Sequence, residues 1–386
     1  MNIKKDLQLY IHIPFCIKKC KYCDFVSSPE KKEVIDAYYQ NLLMEIERYG
    51  DGSYPIGDYM VKTIFIGGGT PTSIDASYIK GIMEKVKEVF SFALKSEIEI
   101  TIEANPGTLT REKLMVYKRL GINRLSIGLQ SANNQELNLL GRIHTYEEFL
   151  DTYKLCRSCG FTNINIDLMS ALPGQTLDSW NTTLRSVIGL NPEHISAYSL
   201  IIEEGTPFFD IYQTKKGQLP DEDIEREMYY MTQKVLQEAG YKRYEISNYA
   251  KEGYMCQHNI GYWERIPYIG FGLSAASLFE NTRFANPCTH QEYERFVRGE
   301  THWQQVECLE EKEQMEEFMF LGLRKTAGVR KIDFFQSFHI SMESIYSAVI
   351  KKLVNDKLLV ETQEKIFLTE RGIDVSNYVL AKFLLD

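Results

Sequence analysis

The chain contains 386 residues, of which 44% are hydrophobic and 25% are charged. This balance is typical of folded globular proteins, and the length is sufficient for a barrel-type domain and a smaller second module. The formal net charge of −9 argues against a broad phosphate-binding surface, so we do not expect nucleic acid as a partner.

The N-terminal residues and the cysteines predict where the protein resides. Residues 1–9 lack the apolar run of a signal peptide, and no segment approaches the about 18 uninterrupted apolar residues of a membrane span. Three of the eight cysteines fall within one short stretch, which favours metal ligation over disulfides. We therefore expect a protein of the reducing cytoplasm with no integral membrane segment.

Six short apolar runs, each followed by turn or polar residues, are typical of buried parallel strands. They are Leu9–Ile13, Thr63–Ile66, Ile98–Ile102, Arg124–Ile127, Asn163–Leu168 and His194–Tyr198. The stretches with helical periodicity between them are Val34–Tyr49, Ala76–Phe90, Arg111–Leu120, Tyr146–Gly160 and Leu177–Ile188. Six strand–helix units are too few for a closed eight-fold barrel. We therefore predict an α/β fold built on a partial (β/α)6 TIM-type barrel.

Residues suited to chemistry follow the predicted strands. A cysteine-containing loop follows the first strand, Gly67–Pro71 follows the second, and Glu103 closes the third. Gly128–Ser131 ends the fourth strand, and Asp167 lies near the end of the fifth. Active sites of barrels and open α/β sheets lie at the carboxyl ends of the strands. The sequence therefore predicts that these residues meet on one face.

The alternation of strands and helices ends after Glu203. The segments that follow are a helix at Asp221–Gly240, an extended segment at Tyr241–Ala250, helices at Met315–Leu323, Ile332–Phe338 and Met342–Asn355, and a hairpin at Leu358–Leu368. We predict two domains, residues 1–285 and 286–386. The second resembles a winged-helix unit, but the glutamates just ahead of it favour a structural or lid role over DNA binding.

Cys16, Cys20 and Cys23 form a C-x3-C-x2-C spacing on one loop. Zinc sites generally use paired C-x2-C knuckles and four ligands, and fully ligated [4Fe–4S] clusters need a fourth cysteine. Three thiolates leave one iron free for a bidentate amino-acid ligand such as S-adenosylmethionine (SAM). We therefore predict a [4Fe–4S] cluster on these three cysteines, with SAM as the second cofactor.

Several residues on the same face are candidate SAM contacts. Gly67–Thr70 follows a buried strand, where bare backbone can approach a ligand closely. Glu103 is a candidate partner for the amino group of SAM or for a sugar hydroxyl. Gln130, Arg142 and Asp167 become candidates through their shared location, and a guanidinium such as that of Arg142 pairs well with a carboxylate.

Two other stretches leave alternatives open. Cys156 and Cys159 are either a redox pair or, as we favour, two semi-buried thiols of a helix. Tyr254–Trp263, which we predict to be non-helical, contains His258 beside aromatic residues. His258 is a candidate axial haem ligand, although composition alone favours a histidine that packs in the core.

Together these residues resemble the radical-SAM family of oxygen-independent coproporphyrinogen III dehydrogenases and their haem-chaperone relatives. The resemblance runs from Tyr10 to about Ser277 and continues more loosely through the tail. The motifs that carry it are Tyr10–Cys16, Phe65–Pro71, Glu103–Gly107, Arg124–Gln130, Leu140–Arg142 and Asp167–Gly174.

The resemblance implies roles for individual residues. Tyr10, Gly68 and Glu103 are expected to line the cluster-bound SAM. The positions that surround a second SAM in the dehydrogenases correspond to Tyr22, Gly69, Thr70, Gln130, Arg142 and Asp167. In a relative that binds a single SAM, these side chains would line the same cavity but would have a different role there.

Two features separate the dehydrogenases from the chaperones. The dehydrogenases are expected to have a further cysteine two residues after the third, where this chain has Phe25. The stretch from His258 to Tyr262 resembles the haem-binding signature of the chaperones, so the resemblance favours these two residues as haem contacts. The preferred prediction is a haem chaperone that binds haem, a [4Fe–4S] cluster and SAM, and transfers haem to an acceptor protein.

The alternative prediction is a coproporphyrinogen III dehydrogenase, which would convert two propionates to vinyls by radical oxidative decarboxylation. A third is an iron–sulfur scaffold or sensor without redox chemistry. Whether the chain is an enzyme is left open, and no catalytic residue is assigned. The expected partners are haem or a porphyrinogen, a haem-acceptor protein and an electron donor.

Overall fold

The computed structural model describes residues 4–94, 97–214 and 218–385. Its first six strands are β1 (Lys5–Ile13), β2 (Tyr59–Gly68), β3 (Glu99–Ala104), β4 (Arg124–Gln130), β5 (Ile164–Ser170) and β6 (His194–Ser199). They pair in parallel, each with the next in the chain. All six predicted strands are confirmed, and most extend further than predicted.

Helices alternate with these strands, as the periodicity of the sequence indicated. They are α1 (Lys32–Arg48), α2 (Ala76–Val89), α3 (Arg111–Leu120), α4 (Asn134–Leu140), α5 (Tyr146–Ser158) and α6 (Leu177–Gly189). At α3, the Thr110 side chain accepts a hydrogen bond from the Lys113 N–H, and Gly121 follows with a φ of 94°. These are the residue types that favour a helix start and a helix end. The short helix α4 was not predicted.

The parallel strands are buried on both faces, because helices cover one face and the barrel interior lies on the other. Every residue of β4 is buried, and so are most residues of β1, β3 and β5. Near-continuous apolar strands of this kind are expected for a parallel sheet covered on both sides. The main apolar core therefore follows the strands and places their carboxyl ends along one edge.

The chain then extends the sheet at both edges. The added elements are α7 (Pro207–Tyr212), α8 (Glu222–Glu238), β7 (Lys242–Arg243), β8 (Asn248–Ala250), α9 (Gln257–Trp263), β9 (Tyr268–Phe271), β10 (Ala276–Phe279), β11 (Thr282–Ala285), α10 (His290–Val297) and β12 (Gln304–Cys308). The strand order is β12-β11-β10-β9-β1-β2-β3-β4-β5-β6-β8-β7. Because its two ends do not pair with each other, the barrel is open, as predicted.

The sequence did not predict α7, α10 or the strands β9 to β12, and one stretch differs from its prediction. β9 is a further parallel strand, paired with β1, that the sequence did not indicate. The stretch predicted as non-helical contains α9, which lies between β8 at one edge and β9 at the other. α9 is stabilised by a residue that is distant in the chain. The Glu99 carboxylate accepts hydrogen bonds from the N–H groups of Gln257 (3.1 Å) and His258 (3.1 Å). These bonds satisfy amides that begin a helix.

The C-terminal part has its own apolar core, which runs from Met315 to Phe383. Its elements are α11 (Glu311–Gly322), β13 (Val329–Arg330), α12 (Lys331–Phe338), α13 (Met342–Asn355), β14 (Leu359–Glu361), β15 (Lys365–Leu368), α14 (Glu370–Asp374) and α15 (Ser376–Leu380). The three strands form an antiparallel sheet in the order β13-β15-β14. Helices followed by this small hairpin give the winged-helix-like arrangement expected from the sequence.

The predicted domain boundary at residue 286 falls between β11 and α10. The large sheet continues beyond it to β12, which ends at Cys308. We therefore propose that the two domains divide near residue 309. In the described ranges, no helix is both long and apolar enough to cross a membrane.

Candidate functional site

The loop after β1 carries Cys16, Cys20 and Cys23 at the carboxyl edge of the parallel sheet. The neck of this loop is closed by two backbone hydrogen bonds, from Cys16 N to Ser28 O (3.1 Å) and from Ser28 N to Pro14 O (3.0 Å). All three thiols are half-buried, and none is in a disulfide. They line the same cleft, so the loop presents three soft metal ligands to one space.

The cleft contains about 700 Å³ of space free of protein atoms, part of it open to solvent. The parallel strands contribute their last residues, or the residues just beyond, to its walls. The residues that they contribute are Gly68, Gly69, Glu103, Asn105, Gly128, Gln130, Asp167 and Tyr198. The expected convergence of strand ends on one face is therefore present.

Close approach to β1 and to the cysteine loop explains the glycines at the end of β2. Gly68 has a φ of 111°, and a Cβ there would lie 2.6 Å from the ring of His12. A Cβ on Gly69 would lie 2.8 Å from the backbone oxygen of Phe15, and the Thr70 N–H donates to that oxygen over 2.7 Å. Only glycine leaves room for the turn to pack against the loop.

Glu103 is the penultimate residue of β3 and lines the cleft. Its Oε2 accepts a hydrogen bond from the Gly68 N–H over 3.1 Å. Burial, and then the negative charge of Asp167, raises the pKa of Glu103 to about 8. A cation beside Glu103 would favour the ionised carboxylate, because opposite charges stabilise each other in a poorly solvated site. Glu103 is thus positioned to respond to a cationic ligand.

Asp167 is the second carboxyl group of the cleft. Its Oδ1 accepts a hydrogen bond from Asn165 Nδ2 (2.7 Å), and its Oδ2 accepts one from Ser126 Oγ (3.1 Å). Burial raises the pKa of Asp167, and these hydrogen bonds oppose that rise. The two carboxyl groups therefore differ in environment, with Asp167 held by side-chain donors and Glu103 by one backbone amide.

Arg142 connects the cleft wall to the cysteine loop. Its Nη1 lies 3.6 Å from Cys20 Sγ, and its Nη2 donates to Asn105 Oδ1 over 2.5 Å. Asn105 in turn donates from Nδ2 to Thr70 Oγ1 (2.7 Å), which lies 3.4 Å from Cys16 Sγ. This chain of contacts orients side chains next to two of the three thiols and leaves a positive charge beside one of them.

Gln130 and Tyr22 complete the predicted cleft residues. Gln130 has a φ of 72°, and its Oε1 accepts a hydrogen bond from the Tyr198 hydroxyl over 3.1 Å. Tyr22 lies on the cysteine loop, with its ring centroid 6.5 Å from that of Phe208. Burial is the main cause that raises the pKa of the Tyr22 hydroxyl above its ordinary value.

Tyr10 and Thr70 are not among the residues that line this cleft. The Tyr10 hydroxyl is bonded to His12 Nδ1 (3.0 Å), and its ring stacks on Phe65 at a centroid distance of 6.4 Å. Thr70 adjoins Cys16 through its hydroxyl, as described above. Direct SAM contact by either residue remains a prediction.

His258 and Tyr262 lie away from the cleft, on α9. His258 is 1% exposed; its Nδ1 is bonded to Thr63 Oγ1 (2.7 Å) and its Nε2 to the Tyr262 hydroxyl (3.0 Å). Burial, and then the charge of Arg124, lowers the pKa of His258 to about 3. A haem contact through either nitrogen stays a prediction, and it would require one of these two hydrogen bonds to break.

Several residues that line the cleft were not predicted as site residues, among them Asn105, Ser126 and Tyr198. Asn105 and Tyr198 lie at the carboxyl ends of β3 and β6, which was the available signal. Ser126 lies inside β4, and only the pairing of β4 with β5 places it beside Asp167. Cys156 and Cys159 are both buried, and burial raises the pKa of the Cys156 thiol to about 12.

Two family models match the chain. The model of the Radical SAM superfamily matches residues 10–187, and that of the HemN C-terminal domain matches residues 309–375. The solved structure of coproporphyrinogen III oxidase (HemN) from Escherichia coli superimposes with a TM-score of 0.85 at 23% identity, covering 99% of this chain and 90% of that chain. At this identity the likeness shows that the two proteins share a fold.

Similarity to curated proteins extends over the whole chain. Proteins named heme chaperone HemW from Lactococcus lactis subsp. lactis (strain IL1403) and Bacillus subtilis (strain 168) are 36% and 37% identical to it. The alignments cover 100% and 97% of this chain, and 99% and 98% of those relatives. The protein of the same name from Escherichia coli K12 is 35% identical over 98% of both chains. The chain therefore belongs to the heme chaperone HemW family within the radical SAM superfamily.

Proposed function

We propose that this chain is a haem chaperone, which binds haem, holds a [4Fe–4S] cluster and SAM, and passes haem to an acceptor protein. The observation that carries the proposal is the full-length similarity to proteins named heme chaperone HemW, at 36% and 37% identity. The similarity spans both the parallel sheet and the C-terminal domain, so the whole architecture is shared rather than one module.

The cysteine loop fits the cluster. Cys16, Cys20 and Cys23 supply the thiolate ligands that iron–sulfur clusters use, and all three face one cleft. Arg142 places a positive charge beside Cys20 and so offsets part of the negative charge of the thiolates. When bound, the cluster would supply single electrons to the site, and Cys16, Cys20 and Cys23 would hold it.

Neighbouring residues of the cleft fit SAM. Glu103 offers a carboxylate to the positively charged part of the ligand, and the turn at Gly68 and Gly69 offers bare backbone. Arg142 offers a guanidinium, which pairs well with the SAM carboxylate. Gln130 and Asp167 face the same space and would contact the rest of the molecule.

Phe25 supports the chaperone over the dehydrogenase. It is 60% exposed and lines the cleft at the position where the dehydrogenases are expected to carry a further cysteine. A phenyl ring cannot ligate iron, so this chain offers no thiolate there. Phe25 instead adds an apolar group to the cleft mouth.

Two assays on one anaerobic preparation of the full chain test the proposal. Haem is titrated into the protein and its absorbance is followed, and the reconstituted protein is incubated with SAM, a reductant and coproporphyrinogen III. We expect saturable haem binding and no protoporphyrinogen. The chaperone assignment would be overturned if the haem titration showed no saturable binding. It would also be overturned if the incubation with coproporphyrinogen III produced protoporphyrinogen.

The cluster is tested separately with Cys20→Ser. Loss of one of three thiolates should abolish the broad visible absorbance and the iron content of the reconstituted protein. Cys288→Ser is the matched control, since Cys288 is exposed and lies outside the cleft. A cluster that survives Cys20→Ser would refute the assignment of the loop as the ligand set.

A further inference from the structure

The outer face of the cysteine loop combines exposed apolar side chains with exposed lysines. Ile17 and Phe25 lie on the loop and are 58% and 60% exposed, and Ile143, between α4 and α5, is 52% exposed. Lys18 and Lys19, also on the loop, are exposed as well. We call the surface of these five side chains the loop face. We propose that the loop face docks an acidic protein that carries single electrons; this inference rests on the cluster of the proposed function.

Two neighbouring cavities indicate that these side chains form one continuous surface. Lys18 and Phe25 line the cleft, and Lys18 also lines a smaller cavity together with Ile17 and Ile143. The smaller cavity contains about 310 Å³ of space free of protein atoms, part of it open to solvent, and Cys20 lines both cavities. Lys18 therefore connects the apolar groups on the two sides of the loop.

The loop is positively charged in a chain whose net charge is −9. Residues 16–25 contain one carboxylate, that of Asp24, against three lysines, Lys18, Lys19 and Lys21. Within the described ranges, no carboxylate lies within 4.0 Å of any of these three ammonium groups. Local positive charge of this kind attracts an acidic partner and raises its rate of association.

Hydrogen bonds hold the loop in place before a partner binds. The Lys21 N–H donates to the backbone oxygen of Leu140 over 3.0 Å, and the Phe208 N–H donates to the backbone oxygen of Lys21 over 3.0 Å. The Lys19 ammonium donates to the backbone oxygen of Phe25 over 2.8 Å. A surface whose groups are already positioned loses less conformational entropy on binding.

The loop face adjoins the thiols that would hold the cluster. Ile17 and Lys18 follow Cys16 in the chain. Ile143 follows Arg142, whose Nη1 lies 3.6 Å from Cys20 Sγ. A carrier seated on this face would therefore be close to two of the three ligands. The reduced carrier would lose one electron and the bound cluster would gain it, and no bond would form or break.

The location favours an electron carrier over the haem acceptor as the partner. His258 and Tyr262, the predicted haem contacts, lie on α9 and do not line the cleft. The loop face is also small, with three apolar side chains beside lysines. Electron-transfer complexes are generally weak and bury less than about 1,200 Å² in total, and exposed charges at their edges mainly control the rate of association.

The test uses an acidic flavodoxin as the carrier and the reconstituted full chain. Calorimetry measures binding of oxidised flavodoxin at low and at high salt. Lys18→Glu should raise the dissociation constant by about fivefold at low salt and by less at high salt, because salt screens exposed charges. Ile143→Ser should raise it similarly at both salt concentrations. Lys351→Glu, at an exposed position on α13, is the matched control and should bind like the parent chain.

A kinetic measurement distinguishes docking from an effect on the cluster itself. Reduced flavodoxin at subsaturating concentration should reduce the cluster more slowly in Lys18→Glu than in the parent chain. Photoreduction by deazariboflavin, a small molecule that needs no docking surface, should be equally fast in both. Equal slowing with both reductants would show that Lys18 acts on the cluster and would overturn the proposal. Lys18→Gln provides the same comparison, with a smaller effect, should Lys18→Glu fail to fold.

The outcomes separate the loop face from the proposed function. If the parent chain forms no cluster, the cluster assignment fails and the docking surface fails with it. If the cluster forms but the parent chain binds flavodoxin no more tightly than Lys18→Glu and Lys18→Gln, only the docking surface is refuted. Vesicles of phosphatidylcholine and phosphatidylglycerol are titrated in parallel. Binding to these vesicles that depends on Lys18, without binding to flavodoxin, would assign the loop face to a membrane surface and overturn the proposal.

Discussion

The guanidinium of Arg142 donates a hydrogen bond from Nη1 to the Sγ of Cys20 over 3.6 Å. The same side chain bonds to Asn105 and to the backbone oxygen of Gly128, which hold it in this position. A buried positive charge beside a thiolate ligand stabilises extra electron density on a cluster, and reduction adds a negative charge.

Arg142→Met should therefore lower the midpoint potential of the reconstituted cluster, by tens of millivolts, while the three thiolates still ligate iron. Redox titration followed by electron paramagnetic resonance measures this potential. Arg119→Met, at an exposed position on α3, removes the same charge far from the loop. A potential that does not move, or that moves equally in both variants, would show that Arg142 does not act on the cluster.

Glu103 should make SAM binding depend on pH. Its pKa is raised to about 8, mainly by burial and next by Asp167, so below pH 8 the carboxyl group is mostly protonated before a cation arrives. SAM carries a positive sulfonium charge and favours the ionised form. The Glu103 contribution to SAM affinity should rise by at most about tenfold per pH unit up to pH 8 and then level off.

Equilibrium binding of SAM to the reconstituted protein between pH 6 and pH 9 checks this. Glu103→Gln keeps the hydrogen bond to the Gly68 amide but cannot ionise, so it should bind SAM more weakly and with a shallower pH dependence. Titration of SAM itself affects both proteins equally, so the difference between the pH profiles of the parent chain and Glu103→Gln gives the contribution of Glu103. Parallel profiles would contradict a direct role for this carboxylate.

Much of this site was predictable because its signals are local. An apolar run predicts a strand, and the parallel order places the residues that follow each run at one edge, which is how Glu103, Gln130 and Asp167 were found. The spacing of the cysteines needed no structural information. Tyr198 is an ordinary polar residue whose only signal was its position at a strand end, whereas Asn105 also lies within the motif Glu103–Gly107.

Other features depend on contacts between distant parts of the chain. α9 begins where Glu99, on β3, accepts the amides of Gln257 and His258. β9 contains Gly270 and becomes a strand through its pairing with β1, which is distant in the chain, and with β10. A cavity beside α9 takes its walls from residues 263–266 and from residues 318–365, so no single stretch of sequence indicates it.

His258 is expected to stabilise the fold whatever its role with haem. Both ring nitrogens are hydrogen-bonded, to Thr63 and to Tyr262, and the side chain is 1% exposed. His258→Ala should reduce the free energy of unfolding by about 2–4 kcal/mol, since it removes two buried partners and leaves a cavity. Urea unfolding measures this, with His302→Ala, at an exposed histidine, as the control.

The same variant tests the haem contact if it is titrated under conditions where it is fully folded. A haem contact predicts a higher dissociation constant for haem in His258→Ala than in the parent chain. Unchanged binding by the folded variant would leave His258 with a structural role only. The Tyr262→Phe variant frees Nε2 and removes the Tyr262 hydroxyl. It should not weaken haem binding if Nε2 alone is the contact, and it should weaken binding if the Tyr262 hydroxyl is also a contact.

Glu45, on α1, should make the stability of the whole sheet depend on pH. Its carboxylate is buried and accepts hydrogen bonds from the Tyr293 hydroxyl (2.5 Å), Asn286 Nδ2 (2.6 Å) and the Gly272 N–H (2.8 Å). These donors oppose the effect of burial, which nevertheless raises the pKa of Glu45 to about 7 from an ordinary value of 4.5. The Glu45 carboxyl group therefore connects α1 to α10 and to the turn after β9, and one proton determines its charge.

The folded state binds this proton more tightly than the unfolded chain, so protonation of Glu45 stabilises the fold. That contribution is fully present below pH 4.5 and is lost as the pH rises through 7, for a total of about 3 kcal/mol. Glu45→Gln cannot ionise, so the unfolding free energy of the parent chain should fall by this amount relative to the variant between pH 4.5 and pH 8. Urea unfolding at several pH values measures the difference, with Glu47→Gln, exposed on the same helix, as control. If the profiles of the parent chain and Glu45→Gln run parallel, the carboxylate is already ionised at pH 4.5, and its three donors outweigh its burial.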